Sequence, residues 1–120
     1  MHTFKIKSHA KINLALNITG KSKKLHKIES IISFINLYDL IFIKKIKSSQ
    51  HRISFYGKFS KNISKINTVS KLLDVLDNNK LLNDNKFFIK IKKNIPQKAG
   101  LGGGSMNSAN ILNFLEKKKF

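Results

Sequence analysis

The chain contains no cysteine, which excludes disulfides and thiolate metal sites. It has no tryptophan and a single proline, Pro96. No stretch approaches the roughly 20 apolar residues that a membrane span needs. The opening Met1-His2-Thr3-Phe4-Lys5 alternates polar and apolar and lacks the apolar run of a secretory leader, so the expected compartment is cytoplasmic, with no membrane partner. Acidic residues are scarce, 6 against 24 basic ones, for a net charge of +18. Arginine is scarcer still: Arg52 is the only one. Such a balance favours polyanions through non-specific electrostatics. Base-reading proteins, however, lean on the bidentate arginine fork. The lysines are scattered, with no basic arm, and isoleucine and asparagine are enriched beside them, as A/T-rich coding would produce. Nucleic acid is therefore expected to bind only non-specifically.

What is present suits a globular chain. Hydrophobic residues make up 41% of the 120, enough for one domain, or a piece of one, with a modest core. Phe4 and Ile6 alternate with polar neighbours, and Lys11 to Ile18 is the cleanest period-two stretch. Both predict strands. Ile28–Leu37 predicts a longer strand. Leu40–Lys47 and Arg52–Lys58 predict a hairpin around Ser48-Ser49-Gln50. Ile66, Val69, Leu73 and Leu76, widened by Leu72, fall at helical spacing, and Asp77-Asn78-Asn79 ends that helix. Lys86–Lys92 predicts a strand with Phe87, Ile89 and Ile91 on one face. Ser105 is expected to start a second helix with Ser108, Ile111, Leu112 and Leu115 as its apolar stripe and Asn107 and Asn110 outside it. The order implies an α+β fold, a mixed sheet with helices on one face.

The most informative segment is Ile95-Pro96-Gln97-Lys98-Ala99-Gly100-Leu101-Gly102-Gly103-Gly104-Ser105, between a predicted strand and a predicted helix. Glycines let the backbone approach a ligand closely. The first N–H groups of a helix lack internal partners and carry partial positive charge. Together they form a phosphate cradle, to which Ser105 adds a hydroxyl or a cap and Lys98 a cation. The Walker pattern is absent, because no Gly-Lys-Ser/Thr closes the loop. His2, His9 and His51 show no metal-ligand spacing, so no metal site built from protein ligands is expected.

Ala10-Lys11-Ile12-Asn13-Leu14-Ala15-Leu16, His26 followed by Glu29-Ser30, Leu37-Tyr38-Asp39, Asn67, and Pro96 through Ala109 occur in an order and spacing that resemble the 4-diphosphocytidyl-2-C-methyl-D-erythritol kinases, a branch of the GHMP kinase superfamily. The glycine loop alone would indicate only the superfamily; the Lys11–Asn13 motif points to this branch. The resemblance implies transfer of the γ-phosphate of ATP, as its magnesium complex, to a hydroxyl of a cytidine-diphosphate-linked methylerythritol, in non-mevalonate isoprenoid precursor synthesis. It implies that Pro96, Ala99, Gly100, Leu101, Gly102, Gly103, Gly104 and Ser105 hold the ATP phosphates. Lys11 would act in catalysis near the accepting hydroxyl. Asn13 and His26 would bind substrate, His26 at the cytosine.

The chain also departs from that pattern. It resembles only an incomplete N-terminal ATP-binding domain, residues 1–120, without the family's C-terminal domain or its catalytic aspartate in a Gly-Ala-Asp-type motif. Leu25 replaces an aromatic before His26, and Met106 replaces the second serine of the phosphate loop. Three readings follow: a kinase of this family of which this chain is the N-terminal part, the rest supplied elsewhere, as by a separate chain; a catalytically inactive remnant; and a small basic nucleic-acid-binding module. Exposed apolar surface is expected where further elements would pack.

Overall fold

The computed structural model describes residues 2–10, 36–97 and 103–120. The expected strand at 11–18 and most of that at 28–37 lie outside the described residues. Among the described residues, four strands, β1 (Thr3–His9), β2 (Tyr38–Ile46), β3 (Arg52–Tyr56) and β4 (Lys86–Lys92), form one sheet. Two helices, α1 (Thr68–Asn78) and α2 (Gly103–Lys118), accompany it in an α+β arrangement.

Strand order is β1-β2-β4-β3. β1 pairs antiparallel with β2, and β2 antiparallel with β4, but β3 runs parallel to β4. The expected β2–β3 hairpin is therefore wrong: β4 lies between them. β4 presents Phe87, Ile89 and Ile91 with no exposed surface, so it takes the centre, where both neighbours cover it. The shorter β3 is only half-buried and takes the edge. A parallel pair needs a crossover of a dozen residues or more. The segment 57–85, carrying α1, supplies it. Gly57 begins that crossover at φ +99°, and a Cβ there would sit 3.2 Å from the Lys93 backbone, so this turn requires glycine.

The core gathers the alternate residues of the strands and one face of each helix. Ile41 and Ile43 from β2, Phe87, Ile89 and Ile91 from β4, Val69, Leu73 and Leu76 from α1, and Ile111 and Leu115 from α2 are all buried. Ile66, expected in the α1 stripe, is 73% exposed. It precedes the N-cap Asn67, where the backbone is extended and helical periodicity has not begun. Leu112, expected in the α2 stripe, is 40% exposed. The buried line of α2 runs Asn107, Ile111, Leu115, so Asn107 belongs to the stripe after all.

The opposite sheet face explains where much of the charge goes. Register places Lys5, Lys7, Lys44, Lys90, Lys92 and Arg52 there, among Tyr38, Phe42, Phe88 and Tyr56. Lys7 lies over the Tyr38 ring, Arg52 over Phe88 and Lys90 over Tyr56, at 5.1, 5.4 and 4.8 Å. Those cations rest on aromatic faces rather than on carboxylates.

Candidate active site

The site is built where β4 ends and α2 begins. α2 starts at Gly103, two residues before the expected Ser105, so Ser105 sits inside the first turn and is not its cap. A Cβ on Gly103 would meet Ile95 Cγ2 at 3.2 Å. Glycine at that position lets the helix start press against the buried Ile95. Gly104 is different: its Cβ position has only Thr68 nearby, at 3.5 Å or more. The first turn of α2 contains no acidic residue. Its leading N–H groups have no intrahelical acceptor, and no described side chain caps them. The helix start is thus an electropositive end of the fold.

Two neighbours brace this end. Thr68, the first residue of α1, donates its hydroxyl to the Gly104 carbonyl at 2.9 Å, which brings the two helix N-termini together. Gln97 donates through Nε2 to the Phe59 and Lys61 carbonyls at 2.6 and 2.9 Å, fastening the segment after Pro96 to the crossover loop.

Beneath the helix start lies a buried polar cluster that sequence reasoning missed. Asp39 is fully buried. Its Oδ1 accepts the backbone N–H of Asn94 at 2.7 Å and of Ile95 at 2.9 Å. Its Oδ2 accepts Lys93 Nζ at 2.6 Å and Asn107 Nδ2 at 3.1 Å. Lys93 Nζ also donates to Asn107 Oδ1 at 2.9 Å. Asn107 and Asn110 donate through Nδ2 to Ser8 Oγ at 2.9 and 3.1 Å. A signal for this cluster was present. Ser8 follows Phe4 and Ile6 at period two, Asp39 precedes Ile41 and Ile43, and Lys93 follows Phe87, Ile89 and Ile91. Each is the next inward position beyond an apolar run, and the antiparallel pairings bring all three to one end of the sheet.

Of the expected site residues, Pro96, Gly103, Gly104 and Ser105 lie at this end of the fold. Lys11, Asn13, His26, Ala99, Gly100, Leu101 and Gly102 lie outside the described residues. Among the described residues no group of three or more His, Asp or Glu could hold a metal ion, and no helix is long and apolar enough to cross a membrane. Ser108 has a buried hydroxyl without a described partner, one helical turn beyond Gly104. A separate open groove of about 620 Å³ runs between β3 and α1, from Asn67 to His51 and Asp77. There His51 Nδ1 accepts the Phe87 N–H at 3.0 Å, so its Nε2 carries the proton toward Asp77, 2.9 Å away, with Lys86 at 3.2 Å on the same carboxylate. Burial pushes the Asp77 pKa up, but the hydrogen bonds from His51 and Lys86 and the charge of Lys86 outweigh it and hold the pKa below its ordinary value.

The end of β4 and the acid-free start of α2 thus meet over one buried polar cluster. Residues 67–118 match the GHMP kinases N terminal domain. Over almost its whole length it is similar to proteins named 4-diphosphocytidyl-2-C-methyl-D-erythritol kinase. That of Pelagibacter ubique is 67% identical over 119 residues, 99% of this chain and 42% of the relative. That of Ehrlichia ruminantium (strain Gardel) is 34% identical over 96% of this chain and 40% of the relative. That of Alkaliphilus metalliredigens is 38% identical over 93% and 38%. The chain spans about two-fifths of the length of these curated relatives.

Proposed function

We propose that this chain forms the ATP-phosphate-binding part of a small-molecule kinase, the phosphate acceptor being a hydroxyl of a cytidine-diphosphate-linked methylerythritol. The observation that carries the reading is the acid-free start of α2, which no described side chain caps, braced by Thr68 and Gln97. Phosphoryl transfer is mainly positioning and charge neutralisation, and backbone N–H groups fixed before the ligand arrives supply both. In this reading Pro96 through Ser105 surround the phosphates. Lys11 stabilises charge at the accepting hydroxyl, Asn13 shapes the substrate end and His26 meets the cytosine. The relatives' names support the substrate assignment.

Magnesium would arrive on the ATP phosphates rather than in a cage of protein carboxylates. Asn107 cannot replace the serine lost at Met106, since Lys93, Ser8 and Asp39 consume its amide. Ser108 keeps an unpartnered hydroxyl and is the better substitute. The general base is not Asp39, whose oxygens accept four hydrogen bonds. In this proposal a segment outside these 120 residues, in the same chain or a separate one, supplies the carboxylate.

The test is a thermal-shift titration with Mg-ATP, in wild type and Gly104→Asp. A ligand that binds only the folded state raises its stability by mass action. Gly104 has room for a side chain, and a carboxylate in the first turn favours the free helix. The variant should therefore fold at least as stably as wild type and lose the ATP-dependent shift. An equal shift in both would sink the cradle reading.

A further inference from the structure

The cluster beneath α2 does more than fill space. Its parts come from three separate segments: Ser8 at the end of β1, Asp39 at the start of β2, and Lys93 to Ile95 at the end of β4. Ser8, Asp39 and Lys93 converge on Asn107 of α2, and Asn94 and Ile95 on Asp39. One carboxylate holds both stems of the glycine loop. Oδ1 receives the two amides that lead into the loop, Asn94 and Ile95. Oδ2 receives Asn107, in the second turn of the helix that leaves it. Lys93 fills the space between, its Nζ 3.6 Å from where a Gly103 Cβ would stand.

A buried ion pair is a poor source of stability. Removing two charges from water costs several kcal/mol per ion, on the order of what their attraction returns. An apolar pair of similar volume would hold the layers together as well. It would not fix the directions of two backbone amides and two side chains at once. A phosphate cradle needs that, because donors must be held within about 0.5 Å to act as a preorganised site. Ser8 extends the constraint to β1, three residues before Lys11 in the chain.

We infer that Asp39, with Lys93, Asn107 and Ser8, is a positioning residue for the phosphate-binding turn: it sets the separation of the loop's two stems and couples them to the strand that leads to Lys11. The inference rests on the cradle reading above and deepens it. Asp39 touches no ligand in this assignment; it acts through the backbone of residues 94–95 and the start of α2.

The experiment compares wild type with three variants: Asp39→Asn, Asp39→Asn/Lys93→Met, and Leu76→Ala. The last loosens the α1 core away from the site. Mg-ATP affinity is measured by calorimetry at a temperature where each variant is folded, and backbone amide exchange is followed in parallel. Asp39→Asn should weaken Mg-ATP binding tenfold or more and speed exchange selectively at Asn94, Ile95 and residues 103–107. The double variant, which leaves no unpaired charge, should regain thermal stability but not affinity. Leu76→Ala should lose stability and keep its affinity. Wild-type affinity in Asp39→Asn, or an equal loss in Leu76→Ala, overturns the inference. If wild type binds no Mg-ATP, the cradle reading falls on its own. Exchange then decides the positioning role: selective opening of the two stems supports it, and uniform opening or none overturns it.

Discussion

The two helices begin side by side and are finished in opposite ways. At α1, Asn67 caps the helix: its side chain accepts from Val69 and Ser70 N–H, and Ser70 Oγ accepts the Asn67 N–H in return. The capping box closes the helix on itself. At α2 no described side chain plays that part, and the polar residues sit underneath. Unpaired N–H groups with partial positive charge serve the fold in one helix; in the function proposed above they receive an anion in the other. Thr68, donating to Gly104, couples the one helix start to the other.

This contrast can be broken from either side. The largest effect is expected from Asp39→Ala, which leaves Lys93 buried without its counter-ion. Loss of one partner of a buried pair costs about 3–5 kcal/mol, measured by denaturant unfolding. Gly103→Ala comes next. Its Cβ would press on Ile95 at 3.2 Å, and overpacking costs about 1–3 kcal/mol. The same change at Gly104, where space is open, should be neutral or stabilising, so the two adjacent glycines separate crowding from helix propensity. Asn67→Ala should cost about 1 kcal/mol, as cap removal does, and leave Mg-ATP affinity per folded molecule unchanged. If affinity fell with the α1 cap, the two helix ends would not be independent.

The smallest effect concerns Asp77, away from the site. Its pKa is lowered in the folded state. The stability it contributes is therefore complete above the ordinary carboxylate pKa, about 4, and disappears as pH falls through the lowered value. The pair is partly exposed, so solvent screening limits it to under about 1 kcal/mol. Unfolding curves between pH 3 and 6 should show a slightly shallower acid loss in Asp77→Asn than in wild type.

Much of this was legible in the order of residues. Alternation marked Phe87, Ile89 and Ile91 as a core strand, and helical spacing marked Val69, Leu73 and Leu76. The strand order was not legible. Ser48-Ser49-Gln50 offers a plausible hairpin turn, and only competition for the most buried strand puts β4 between β2 and β3. The polar cluster was half-legible: Ser8, Asp39, Lys93 and Asn107 each lie on the inward register of an apolar pattern, but a polar residue there reads as the pattern's end until its partners are known.

Among the described residues, periodicity by itself determined most element types and inward faces, because these depend on local backbone preference and spacing. Tertiary structure alone decided that Asp39 and Lys93 are partners, 54 residues apart. It also decided that Gly103 is confined while Gly104 is free. Those outcomes depend on which distant groups share a buried space, where an unpaired charge or a misplaced methyl group is costly.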